Sequence, residues 1–255
     1  MNNTFSYDRR WFPFGLGSVL AETRLFCLPF AGGSASFFMP WRRELKDVAV
    51  APLQYPGRET RFEEPCCNDL SRLVDDLADA IFPQLDRPYA LLGYSLGAKI
   101  GFALCHRLVA MGASPPYLFI PVAHGAPDAE PFLRGAGDLS HEEFKEHVMR
   151  YGGMPEFVFE DPDLMRLLVP VLRSDIRLVE HPVPSHPLSC RLVAYAGTED
   201  MAAPPSTMEE WRNYTTSHVL VRAFAGGHFF ARSAENFLAT LARDLAQAQP
   251  SALAS

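Results

Sequence analysis

Short apolar runs bounded by glycine and proline alternate along this chain with stretches whose apolar residues recur every three to four positions. The first pattern predicts strands buried on both faces, the second helices with one face on a core. Residues 25–30 form such a run, ending in the loop Ala31-Gly32-Gly33. Residues 48–53, 89–92, 117–122, 191–196 and 219–224 repeat it. Helical spacing covers 38–45, 69–85, 98–111 and 235–247, with Leu70, Leu73, Val74, Leu77 and Ile81 forming one stripe in the second. Strands alternating with helices predict an α/β fold, a mostly parallel central sheet with helices on both faces.

The alternation lapses between Val122 and Arg191. Ser140-His141-Glu142-Glu143 is a capping box that predicts a helix to about Tyr151, stopped by Gly152-Gly153. Asp161-Pro162 opens a second helical run, which Pro170 should bend or break. An insertion of this length is usually functional, and helices over 135–182 would make a lid above the carboxyl ends of the strands. Residues 1–23 read as an irregular N-terminal extension, 24–248 as one domain carrying the insertion, and 249–255 as a tail.

Composition narrows the functional classes. With 48% apolar and 21% charged residues the chain is globular in type, and 255 residues suffice for one domain with a full core. A net charge of −7 argues against a nucleic-acid partner, because phosphate binding needs a basic surface. No apolar run reaches the ~18 residues needed to span a membrane. Cysteines number five, and Cys27, Cys105 and Cys190 lie in apolar patterns as small buried hydrophobes. Adjacent Cys66 and Cys67 match no metal-ligand spacing, so a reducing cytoplasm and no metal or cofactor are expected. Arg9-Arg10-Trp11-Phe12 is similar to a twin-arginine export signal. Pro13 and the glycines after it break the short apolar stretch, and no small-x-small cleavage site follows, so export is not expected. Nothing in the pattern demands more than a monomer.

The chemistry centres on Gly93-Tyr94-Ser95-Leu96-Gly97, set between a predicted strand and a predicted helix. Glycines two positions either side of the serine leave room for a sharp strand-to-helix turn that presents its hydroxyl. The plainer alternative is a surface serine in an ordinary glycine turn. A serine nucleophile needs a base, and the base needs an orienting acid; in such folds they follow in the order Ser, acid, His. Asp200 ends Gly197-Thr198-Glu199-Asp200 directly after the strand 191–196 and is the favoured acid, with neighbouring Glu199 and the earlier Asp128 as alternatives. Among eight histidines, His228 alone combines a preceding strand end with glycines that permit a tight loop, in Gly226-Gly227-His228-Phe229-Phe230. Oxyanion donors are expected from the backbone N–H groups of Leu96, at a helix start, and Ala31, in the loop after the first core strand.

Five blocks in order carry a resemblance: Pro29-Phe30-Ala31-Gly32-Gly33-Ser34-Ala35, Gln54-Tyr55-Pro56-Gly57-Arg58-Glu59, the pentapeptide around Ser95, Leu172-Arg173-Ser174-Asp175, and the segment around His228. Together they resemble the type II thioesterase family, the free-standing editing hydrolases of polyketide and nonribosomal peptide assembly lines. The resemblance runs from about Arg24 to Leu245. It implies an α/β-hydrolase fold and a triad of Ser95, Asp200 and His228. It also implies hydrolysis of acyl or aminoacyl thioesters on the phosphopantetheine arm of acyl and peptidyl carrier proteins. Phe30 and Phe229 are then expected at the border of an acyl chamber, and Arg58 and Arg61 are candidates either for carrier contact or for a structural role. One departure stands out. The family usually has a serine-arginine-like run before Ala-Pro, where this chain has Ala123-His124-Gly125 before Ala126-Pro127. His124 is expected to bear on substrate preference and is given no catalytic role. The rival readings are an esterase or lipase acting on oxygen esters and a catalytically silent hydrolase fold that serves as an interaction protein.

Overall fold

A computed structural model of the protein describes residues 7–130, 134–150 and 160–250. Among them, strands β1 (Thr23–Leu28), β2 (Val48–Pro52), β3 (Tyr89–Tyr94), β4 (Leu118–Val122), β5 (Arg191–Gly197) and β6 (Val219–Phe224) form a sheet of order β2-β1-β3-β4-β5-β6. Every pairing in it is parallel. Strands β1 to β4 are buried at every position, because layers on both faces remove the alternation of polar and apolar residues. The strand order reverses between β1 and β3, and in open parallel sheets the crevice at such a switch point is where ligands bind. Leu28 lies opposite Gly93, so the loops after β1 and β3 leave the sheet side by side at that crevice.

The helices are α1 (Trp41–Glu44), α2 (Leu70–Ile81), α3 (Leu96–Ala110), α4 (His141–Arg150), α5 (Pro162–Glu180), α6 (Pro205–Met208) and α7 (Phe237–Ala248). Helix α2 starts where Asp69 caps it, accepting the Arg72 N–H at 3.1 Å. Its predicted stripe is buried, each of those side chains contributing roughly 1.5–3 kcal/mol. With α3 it covers one face of the sheet, joined there by Trp11 and Phe12. Trp41 of α1 and Phe237, Leu241 and Leu245 of α7 cover the other. The first half of α3 is buried all round, since it lies between the sheet, α2 and α5.

Three expectations change. The helix predicted over 38–45 is divided into a 3₁₀ turn, Ala35–Phe38, and α1, because Pro40 between them lacks the N–H that a continuous helix would use. The helix over 69–85 gives way at Phe82 to a 3₁₀ turn containing Pro83. By contrast, α5 runs unbroken through Pro170. Met165, Val169, Leu172 and Ile176 pack with Phe144 and Val148 of α4, and their burial exceeds the ~3 kcal/mol that an interior proline costs. The Ser140 cap is formed: its Oγ accepts the Glu143 N–H at 3.4 Å and its own N–H donates to Glu143 Oε2 at 3.1 Å. The predicted stop at Tyr151-Gly152-Gly153 lies outside the described residues. The described residues 7–22, ahead of β1, form no helix or strand, yet Trp11 and Phe12 among them sit within the core. Cys27, Cys105 and Cys190 are buried free thiols. No described helix is long and apolar enough to cross a membrane.

Candidate active site

Ser95 joins β3 to α3 with φ 50° and ψ −115°, a conformation that costs a non-glycine residue roughly 1–3 kcal/mol. Two hydrogen bonds hold it: the Ser95 N–H donates to the Val122 carbonyl at 2.7 Å, and the Ala98 N–H donates to the Ser95 carbonyl at 2.8 Å. A Cβ at Gly93 would collide with the Gly97 carbonyl, and one at Gly97 with the Leu28 carbonyl. The two glycines are therefore a steric condition of the turn.

His228 follows β6 and reaches back over the end of β3, where the Tyr94 hydroxyl donates to its carbonyl at 2.7 Å. A Cβ at Gly197 would strike the Gly226 carbonyl, so the loops after β5 and β6 can close on each other only with glycine there. This closure sets the Asp200 carboxylate beside the imidazole. His228 Nδ1–H donates to Asp200 Oδ2 at 2.9 Å, which leaves Nε2 to accept the Ser95 hydroxyl proton at 3.0 Å. Asp200 is buried, and its Oδ1 accepts the N–H groups of Ala202 and Ala203 at 2.9 and 3.2 Å, so the carboxylate is held by both oxygens. Of the alternative acids, Glu199 is exposed, and Asp128 lies beside the Tyr214 hydroxyl, whose pKa burial and that carboxylate push up.

Ala31 and Leu96 line, with Ser95 and His228, a cavity of about 290 Å³. Leu96 opens α3, so its N–H has no acceptor within the helix. The loop carrying Ala31 is tied down on its far side, where the Gly32 N–H donates to Asp175 Oδ2 of α5 at 2.7 Å. Asp175 in turn forms a two-pronged pair with Arg58, at 2.6 and 2.8 Å. The carboxylate is 1% and the guanidinium 7% exposed, so the pair is almost out of water. Burial opposes the Arg58 charge, but Asp175 more than offsets it and lifts the arginine pKa above its usual value. Arg61 is buried as well, 4.2 Å from the Trp11 ring centre and paired with Glu64 at 2.5 Å. Both guanidiniums are held within the fold by ion pairs and hydrogen bonds. The Asp175 role was missed in the sequence, although an acidic residue on the apolar face of a helix was the available signal.

Phe30 and Phe229 do not border the cavity beside Ser95. Their rings meet edge-on at 5.0 Å in an aromatic cluster with Tyr94, and Phe30 faces a second cavity of about 500 Å³ together with Phe37, Phe62 and Arg232. The wall beside Ser95 is made instead of small residues, Ala123, Gly125, Ala129 and Ala202, and of His124. That histidine occupies the loop after β4, where its carbonyl accepts the Trp211 indole N–H at 2.8 Å. Burial pushes its pKa down to about 4.

The thioesterase-domain family matches residues 23–247. Thioesterase PikA5 of Streptomyces venezuelae is 36% identical over 215 residues, covering 82% of this chain and 76% of PikA5. Among solved structures, RedJ, a thioesterase from the prodiginine biosynthetic pathway in Streptomyces coelicolor, matches with a TM-score of 0.81 at 31% identity, over 98% of this chain and 96% of RedJ. BorB, a type II thioesterase from the borrelidin biosynthetic cluster, matches with a TM-score of 0.80 at 29% identity, over 95% of this chain and 98% of its own. By sheet order, by the serine turn and by a match over nearly its whole length, the chain belongs to the thioesterase family of α/β-hydrolases and is a thioester hydrolase.

Proposed function

We propose that this protein is an editing type II thioesterase. It releases acyl or aminoacyl groups from the phosphopantetheine arm of carrier proteins in polyketide or nonribosomal peptide synthesis, with Ser95, His228 and Asp200 as its catalytic triad. The observation that carries this reading is the hydrogen-bonded chain Ser95–His228–Asp200 at the switch point of the sheet, with contacts of 3.0 and 2.9 Å.

His228 Nε2 takes the hydroxyl proton as Ser95 Oγ attacks the thioester carbonyl carbon. The Ala31 and Leu96 N–H groups receive the negative charge that develops on the carbonyl oxygen, each worth about 3–4 kcal/mol of barrier. As the C–S bond breaks, the imidazolium returns its proton to the departing sulfur and the acyl group rests on Ser95. Water then enters and attacks the acyl carbon as His228 takes its proton, and the imidazolium hands that proton to Ser95 Oγ as the ester C–O bond breaks and the carboxylic acid leaves. Asp200 keeps the imidazole in the tautomer these steps need and steadies its positive charge.

The test is mass spectrometry of a panel of acylated carrier proteins before and after incubation, with matched thioesters and oxygen esters assayed alongside. Wild type should strip the carriers, and Ser95→Ala should lose about 10⁴-fold or more of kcat while melting as wild type does. A large preference for the oxygen esters, or undiminished turnover by Ser95→Ala, overturns the assignment.

A further inference from the structure

The cavity beside Ser95 has an unbalanced chemistry. Its polar side chains other than Ser95 and His228 are His124, Glu130, Thr207 and Glu210. Each offers lone pairs to the cavity and no proton. Thr207 Oγ1 already donates to the Pro204 carbonyl at 3.0 Å. His124 Nδ1 is 2.7 Å from the Gly125 carbonyl, and a carbonyl can only accept, so Nδ1 holds the proton. Its low pKa keeps the ring neutral near pH 7, so Nε2 is left with a bare lone pair. Lys99, whose charge reaches His124, turns its ammonium instead to the Val179 carbonyl. Glu130 is paired with Arg134 at the surface, whereas Glu210 has no ion-pair partner among the described residues.

His124 is also firmly placed. Ala123 before it has φ 53°, a costly angle for alanine, secured by its N–H donating to the Tyr195 carbonyl at 2.8 Å. The Trp211 indole holds the next carbonyl. The remaining wall is alanine, glycine, valine and Leu96, and a volume of about 290 Å³ holds a group the size of one amino acid. Apart from Ser95 and the two oxyanion N–H groups, the wall offers only acceptors, and it is complementary to a small acyl group that brings its own donors and a positive charge.

We infer that this cavity selects aminoacyl groups, with His124 Nε2 accepting from the substrate ammonium and the Glu210 carboxylate at the mouth supplying the opposing charge. This deepens the thioesterase reading and rests on it: among misloaded carriers, those bearing a single amino acid would be cleared ahead of those bearing plain acyl chains of equal size. His124 and Glu210 are specificity-determining residues that touch the acyl group and take no part in the proton transfers.

Alanyl, lactyl and isobutyryl thioesters of N-acetylcysteamine are near-isosteric and differ in carrying an ammonium, a hydroxyl or a methyl group. Their kcat/KM values at pH 6.5, each divided by the spontaneous hydrolysis rate, test the inference directly. The expected order is alanyl, lactyl, isobutyryl, with alanyl ahead of isobutyryl by about tenfold or more, the range of a hydrogen bond to a charged group. His124→Leu should collapse the alanyl-to-isobutyryl ratio. Glu210→Gln, at an exposed position, should lower the alanyl-to-lactyl ratio. Equal normalised rates for the three substrates in wild type overturn the inference and leave the thioesterase reading standing, whether or not the variants fold. Ratios unchanged in both folded variants overturn it too, and failure to hydrolyse any of the thioesters overturns both readings.

Discussion

Replacing Asp175 by Asn would test the tie between α5 and the loop that carries Ala31. An amide has one oxygen where the carboxylate has two. If that oxygen keeps the Gly32 N–H, its NH₂ group faces the Arg58 guanidinium, donor against donor; if it turns to Arg58, Gly32 loses its acceptor. Either way Arg58 stays buried with no anion beside it. Breaking a buried pair by removing one partner costs about 3–5 kcal/mol, a large part of the roughly 5–15 kcal/mol that holds a domain folded. At a urea slope of about 1–3 kcal/mol per molar, the unfolding midpoint should fall by roughly 1–5 M. Turnover should fall separately. A loosened Ala31 N–H forfeits part of the about 3–4 kcal/mol that an oxyanion donor supplies, so kcat on a short acyl thioester should drop roughly 10–100-fold with little change in KM. The double variant Arg58→Met, Asp175→Leu separates the two effects. Apolar replacement of a buried pair is near neutral for stability, yet it leaves Gly32 without an acceptor, so the midpoint should recover and kcat should not. An Asp175→Asn midpoint within about 0.3 M of wild type, or a double variant that regains full turnover, would refute this account.

Asp200→Asn should lower kcat by about 10³–10⁴-fold with little effect on binding, read from steady-state rates. The Ala202 and Ala203 N–H groups claim the one amide oxygen, which turns the NH₂ toward Nδ1 and forces the imidazole proton onto Nε2, facing Ser95. Lys99 has its pKa lowered by burial to about 8 against 10.5 when exposed, so from pH 8 to 10.5 the folded chain binds fewer protons and the lysine's penalty is relieved as pH rises. Lys99→Met should be the more stable protein in urea at pH 7.5, by at most about 3 kcal/mol, and that advantage should shrink by pH 9.5. The buried thiols of Cys27, Cys105 and Cys190, whose pKa values burial pushes up, act in the opposite sense above their ordinary range but equally in both proteins, so they cancel in the difference; a gap independent of pH counts against the lysine. Leu77→Ala, in the buried stripe of α2, should cost about 2–5 kcal/mol by the same assay and leave kcat unchanged; a loss within 0.5 kcal/mol would contradict the packing described.

The parallel sheet and the serine turn were legible because each leaves a local signature, a short apolar run or a pair of glycines at a strand end. Ser95 and His228 could be picked out for that reason. Choosing Asp200 over Glu199 depended on which side chain the loop after β5 buries, and periodicity carries no such information. Pro170 was misjudged for a related reason: the cost of an interior proline is local, whereas the apolar face of α5 that outweighs it is satisfied by α4. The Arg58–Asp175 pair joins positions 117 apart, and nothing near either residue names the other. The described walls of the cavity beside Ser95 come from the loops after β1, β4 and β5 and from the end of α5, segments far apart in the chain, so proximity to His228 in sequence does not say which residues line it.

The proposed reactive corner draws on positions 31, 95, 200 and 228, with the ion pair of 58 and 175 tied to the neighbouring Gly32. A chain in which the loop after β6 has yet to dock possesses the alcohol but not the imidazole. Hydrolytic power therefore arrives only with completion of the native state. Thioesters are thereby spared attack by copies of the enzyme that have yet to fold.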